Sequence, residues 1–182
     1  VLNNKINNYF EKDFVIVTPS QWLASCARNS RLFSRLRIEV IPHSIETDIY
    51  KPMPKQTAKN HLGLNPESKV LLFGAHIDEK RKGFEKLFES LKILSDRIRA
   101  KDSVIKNQIH MLCVGDFKDI PPDLPFPLTN LGYIDSDEKL AIVYSAADIF
   151  LLPSLEDNFP NTILESMACG TPVVGFNIGG IP

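Results

Sequence analysis

Two carboxylates, Asp157 and Glu165, stand on either side of the start of a short predicted helix, with Glu156 beside the first of them. The preceding apolar run Ile149-Phe150-Leu151-Leu152 ends at Pro153-Ser154, Pro160 suits the first turn of a helix, and Gly170 suits the left-handed residue past its end. Pro172 then forbids continuation and leads into the apolar Val173-Val174. The segment therefore reads as strand, acidic loop, helix and second strand. A helix start presents unpaired amides and about half a positive charge to an anion in front of it, so the amides near Asn161 and Thr162 suit a phosphate, with Phe159 and Pro160 beside them in the binding segment. Glu165 lies roughly 6 to 8 Å along the axis from that start, and helical side chains lean back toward the N-terminus. Carboxylates beside a phosphate accept hydrogen bonds from sugar hydroxyls. The ligand implied is phosphate flanked by hydroxyl-rich groups.

These residues resemble glycosyltransferase family 4, the retaining nucleotide-sugar glycosyltransferases, in which two Glu separated by seven residues precede an Ala-Met-Ala-Cys-Gly-like helix end. The family spacing puts Asp157 in the first slot and Glu165 in the second, with Glu156 displaced by one as the alternative contact. The resemblance implies that the first acid meets the donor sugar, that Glu165 holds the nucleotide ribose, and that the intervening amides meet sugar and diphosphate. Taken alone, the two acids equally suit the dipole of the helix and its surface.

The elements that must carry these groups are legible as alternation. Phe14 to Val17, Glu39 to Pro42, Val70 to Gly74, Ile109 to Gly115, Ile149 to Leu152 and Val173 to Phe176 are short, mostly continuous apolar runs, as in strands buried on both faces. Helical period appears at Gln21 to Asn29, at Phe84 to Ala100 with Leu87, Leu91 and Leu94 recurring, and at Glu138 to Ala147. Alternation predicts an α/β fold, a Rossmann-like parallel sheet with helices on both faces, whose ligands lie beyond the carboxyl ends of the strands. Pro121, Pro122, Pro125 and Pro127 mark a stiff loop, and Lys51 to Gln56 another.

A second cluster follows the strand ending at Gly74. In Asp78-Glu79-Lys80-Arg81-Lys82-Gly83-Phe84, three cations stand where a helix begins, which the dipole disfavours unless an anion binds there. A diphosphate supplies that anion: Lys82 acts as a point charge, Arg81 as a bidentate fork, and Gly83 lets the backbone come close. A solvated charged turn is the plainer alternative. The family commonly carries Arg directly after the strand glycine, whereas this chain has Ala75 and then His76. Leu131-Gly132-Tyr133-Ile134 resembles the family segment whose backbone lies near the base, which implies a base contact at Tyr133 or Ile134. Val17-Thr18-Pro19-Ser20 and Val40-Ile41-Pro42-His43-Ser44 also resemble family segments, with His43-Ser44 in place of Asn-Gly. Trp22 reads as core packing and His43 as a turn residue. Asp135-Ser136-Asp137-Glu138 reads as a capping box closed by Asp135 and Glu138, not as a metal motif.

Composition limits the partners. The 182 residues carry 21 basic and 22 acidic side chains, a balance that gives no footprint for nucleic acid. Cys26, Cys113 and Cys169 are odd in number and widely spaced, which argues against a disulfide framework or zinc site and fits a reducing compartment. No run reaches membrane-spanning length.

The resemblance thus implies one half of a two-domain GT-B enzyme: a junction over 1–13, a donor domain over 14–182 truncated at its carboxyl end, and an absent acceptor domain. The parent would be a hexosyltransferase-type enzyme moving a sugar from a nucleoside diphosphate donor to a hydroxyl of a saccharide or glycolipid, with retention and without metal or cofactor. Its expected place is the cytoplasm, at the inner face of the membrane, in polysaccharide biosynthesis, and the fragment alone is expected to bind without turnover. A noncatalytic nucleotide-sugar module, or a phosphorylase or epimerase of the same fold, is the alternative.

Overall fold

The computed structural model describes residues 14–74, 80–101, 104–115 and 121–182. The junction expected over 1–13, and Ala75, His76, Asp78 and Glu79, lie outside the described residues. The chain divides into two compact units, one holding Val1–Ser44, Glu156–Pro160 and Asn177–Pro182, the other Ile45–Leu155 and Asn161–Phe176.

In the first unit, β1 (Val15–Thr18) and β2 (Arg37–Val40) pair in parallel with α1 (Gln21–Arg28) between them. Ser20 caps α1, its hydroxyl accepting from the Leu23 amide at 3.2 Å. The buried face of α1 is Ala24 and Ala27. Trp22, expected in the core, is instead 45% exposed, because these small residues occupy the inward positions.

The second unit carries α2 (Lys55–His61), β3 (Lys69–Gly74), a 3-10 turn (Lys80–Lys82), α3 (Phe84–Ala100) and a further 3-10 turn (Val104–Gln108). It continues with β4 (Ile109–Val114), β5 (Leu128–Asn130), α4 (Asp137–Ala146), β6 (Ile149–Leu152), α5 (Asn161–Ala168) and β7 (Val173–Gly175). The sheet is parallel with order β5-β4-β3-β6-β7, so the order reverses beside β3. Successive strand residues point to opposite faces. Leu71 and Phe73 accordingly join Phe84, Leu87 and Leu91 of α3 in one core, while Phe150 meets the Tyr144 ring of α4 edge-on at 5.7 Å. Helices cover both sides of the parallel sheet, as the apolar runs predict.

Several boundaries differ from expectation. α2 begins at Lys55, inside the loop expected from Lys51 to Gln56. The buried stripe of α3 runs Phe84, Leu87, Leu91, Ser95, leaving Leu94 37% exposed, because 3.6 residues per turn carry the inward position to Ser95. Pro160 immediately precedes α5 instead of occupying its first turn. The cap of α4 is Ser136, which accepts from the Lys139 amide at 3.3 Å and donates to Glu138 at 2.7 Å. Asp135, expected in that role, stands one residue too early to reach the same amides, and it lines the cavity at the carboxyl ends of the strands.

At the amino ends of the strands, Asp148 ties the sheet to α2. Its carboxylate accepts from the Val70 amide at 2.8 Å, from Lys55 at 3.0 Å and from Lys59 at 3.2 Å. The Lys59 side chain, 3% exposed, also donates to the Ser68 carbonyl.

Candidate functional site

The opposite, carboxyl ends of β3, β4 and β6 open into a cavity of ≈ 460 Å³, a size suited to a small-molecule ligand. Its floor is apolar, formed by Leu72, Phe150 and Leu152, and it lies where the strand order reverses. Six of the residues singled out from sequence line it together: Gly74, Lys82, Tyr133, Ile134, Thr162 and Glu165. Asp135, Asp137, Tyr144 and Ser154 border it as well.

Each polar group is placed by a local cause. Glu165 enters from α5, where burial pushes its carboxyl above the ordinary range and the charge of Asp137 adds to the rise. The Tyr144 hydroxyl opposes that rise by donating to Oε2 at 2.7 Å. Tyr144 itself is buried, and burial with the neighbouring Glu165 charge pushes its own hydroxyl upward. Asp137, in the first turn of α4, accepts from the Tyr50 hydroxyl at 2.9 Å. Tyr133 follows β5 and is 78% exposed, presenting a ring at the rim.

Lys82 closes the 3-10 turn, and Gly83 behind it adopts φ 69° before α3 starts. A Cβ at Gly83 would stand 1.9 Å from the Pro153 carbonyl oxygen. The expected close approach of this backbone is thus to the chain's own β6 exit, and glycine is needed for that packing. The Leu155 amide donates to the Arg81 carbonyl at 2.7 Å, which fastens the same turn again. Lys82 reaches the cavity, whereas Arg81 is exposed and stands outside its lining. Asn161 opens α5 and is exposed.

Glu156, Asp157, Phe159 and Pro160 belong to the first unit. There the Asp157 carbonyl accepts from the Gly180 amide at 3.1 Å, and its carboxylate accepts from the Asn158 amide at 3.0 Å. A Cβ at Gly179 would stand 2.0 Å from the Asp157 carbonyl oxygen, so Gly179-Gly180 seats this acidic loop at backbone distance. Ser20 donates to Asn158 Oδ1 at 2.8 Å, and the Phe159 ring lies edge-on to His43 at 5.5 Å. Glu156 is exposed. Among the described residues no group of three or more His, Cys, Asp or Glu could hold a metal ion. No described helix is long and apolar enough to cross a membrane. Cys113 and Cys169 are buried and Cys26 is exposed, all three as free thiols.

Residues 67–182 match the family model of the group 1 glycosyl transferases. The chain belongs to that family. A relative in Segniliparus rotundus, a D-inositol 3-phosphate glycosyltransferase, is 31% identical over 157 residues, covering 80% of this chain and 33% of the relative. The chain thus spans about a third of the length of that curated relative. Among solved structures, sucrose-phosphate synthase of Thermosynechococcus elongatus is similar at TM-score 0.72 and 22% identity, over 98% of this chain and 45% of that one. Anabaena HepE, solved with UDP-glucose, is similar at TM-score 0.68 and 21% identity, over 98% and 49% respectively. These likenesses show the GT-B fold that the sequence resemblance implied.

Tyr144, Asp137 and Ser154 border the cavity but were not singled out as ligand contacts from sequence. For Tyr144 no sequence signal was available, since an aromatic on a helix buried against a strand reads as core. Asp137 stood inside the capping box and was absorbed by that local explanation.

Proposed function

We propose that this chain is the donor-binding part of a glycosyltransferase that takes a sugar from a nucleoside diphosphate and passes it to a hydroxyl of a saccharide or glycolipid. The observation that carries the proposal is the cavity at the strand reversal, bordered by both Glu165 and Lys82 in a group 1 glycosyl transferase. Glu165 accepts from the ribose hydroxyls, Lys82 and Arg81 offset the charge of the diphosphate, and the α5 amides at Asn161 and Thr162 add donors. The base rests near Gly74, Tyr133 and Ile134. Asp157, or Glu156 beside it, orients the donor sugar.

Transfer proceeds with retention. The bond from the anomeric carbon to the diphosphate oxygen breaks, the acceptor oxygen bonds to the same face, and the departing diphosphate takes the acceptor proton. Fixed donors and cations supply the charge stabilisation that a metal would otherwise provide, so no metal or cofactor takes part. The reaction belongs to the cytoplasm, at the inner face of the membrane, and needs an acceptor-binding domain beyond these residues.

Isothermal titration of the 182-residue chain with uridine, guanosine and adenosine diphosphates tests the proposal. One of the three binds with a Kd at or below about 1 mM, equivalent to roughly 4 kcal/mol. A folded chain that binds none of them refutes it. Glu165→Ala weakens that binding more than Asp157→Ala, and equal losses would mean that the ribose and sugar ends are misassigned.

A further inference from the structure

The cavity presents Glu165 in an asymmetric state. Tyr144 is the one hydrogen-bond partner of its carboxylate among the described residues, bound at Oε2, so Oε1 carries none. Tyr144 has no freedom to turn away. Its ring is 5% exposed, edge-on to Phe150 at 5.7 Å and tilted against Tyr50 at 6.4 Å. The backbone is held too: its carbonyl accepts from the Thr171 hydroxyl at 2.6 Å, and Thr171 is itself buried in the turn after α5. The helix that supplies the hydroxyl and the helix that supplies the carboxylate are thereby locked at two points.

We propose that Tyr144 is a positioning residue for Glu165, holding one carboxylate oxygen against α4 so that the other is presented to a diol of the bound nucleotide. The proposal deepens the donor assignment and rests on it. A glutamate left alone on α5 would sample several rotamers, each costing ordering entropy on binding; the rigid phenol removes that cost beforehand. Asp137 strengthens the need for such a device. Its charge faces Glu165 across the cavity and favours the protonated acid, which accepts from a diol less well than a carboxylate does. The other titratable groups around Glu165 are Tyr144, Tyr50 on Asp137, Cys169 just past α5, and Lys82 and Asp135 on the cavity wall. Of these, the Tyr144 hydroxyl is the hydrogen-bond donor to the carboxylate.

Tyr144→Phe keeps the ring and the Thr171 contact, which uses the backbone carbonyl, and removes only the donor. Binding of the preferred nucleoside diphosphate falls about tenfold, the scale of a hydrogen bond to a charged group. Binding of its 2′,3′-dideoxy analogue is unchanged by the substitution. In the ligand-free chain, a carbon-13 titration of the Glu165 carboxyl shows a higher midpoint in Tyr144→Phe than in wild type. Equal losses for the two nucleotides, or an unmoved carboxyl midpoint, overturn the positioning role. A wild-type chain that binds no nucleotide overturns the donor assignment instead, and the carboxyl titration still decides whether Tyr144 holds Glu165.

Discussion

The two ends of the same parallel sheet treat a carboxylate in opposite ways. At the amino ends, burial raises the cost of charging Asp148, yet the Val70 amide, Lys55 and Lys59 outweigh it and hold the carboxyl below its ordinary range. At the carboxyl ends, Glu165 has one neutral hydroxyl donor and a second acid nearby, and burial wins. Asp148 is completed by the fold, whereas Glu165 is left under-satisfied beside a cavity. The contrast separates the group that holds the sheet together from the group prepared for a ligand.

The harshest way to break the contrast is Asp148→Ala, which strands the buried Lys59 ammonium without its counter-ion. Removing one partner of a buried pair costs about 3 kcal/mol, read as a lower urea midpoint, while nucleotide binding by the folded fraction is unchanged. The pH dependence has a definite sign. A depressed folded-state value means that the Asp148 contribution is present above its unfolded value near 3.8 and disappears as pH falls through the lower folded value, so Asp148→Ala flattens that acid limb.

Gly83→Ala comes next. The left-handed backbone and the Pro153 carbonyl leave no room for a methyl group, at a cost of about 2 kcal/mol. Because the turn carries Lys82, thermal stability and nucleotide affinity fall together, unlike the separation expected at Asp148. Lys82→Ala sharpens the site alone, weakening diphosphate binding about fivefold, with Arg81→Ala producing the smaller loss. Titration calorimetry of the two variants checks the ranking.

Glu165→Gln gives the smallest change in stability and the most informative sign. A raised folded-state value means that the stabilising contribution is present below the unfolded value and lost as pH rises through the folded one, so the ionised acid burdens the fold at neutral pH. The amide still accepts from Tyr144, and denaturation at pH 7.5 shows a gain of about 0.5 kcal/mol while nucleotide affinity drops. A loss of stability comparable to that of Asp148→Ala would erase the distinction between the two ends.

Local pattern and tertiary contact divided the legible from the illegible. Phe84–Ala100 and Ile149–Leu152 match their expected bounds because a long helical period and a continuous apolar run are local signals. The strand Leu128–Asn130 was missed, since three residues behind a run of prolines have no readable period and pair only because β4 lies alongside. The site shows the same division. Glu165 and the Lys80–Lys82 turn were found from spacing and helix-end electrostatics, which act over one or two turns.

The order of apolar runs, the glycines at Gly83 and Gly170 and the acid on α5 were all present in the linear chain, because backbone preference and helix geometry are short-range. Their meaning depended on contacts that sequence distance hides. Tyr144 and Glu165 are 21 positions apart, and Asp148 and Lys59 are 89 apart. Whether a buried carboxylate is completed or left waiting follows from which donors the folded sheet brings within hydrogen-bond distance of it, a proximity that no local pattern encodes.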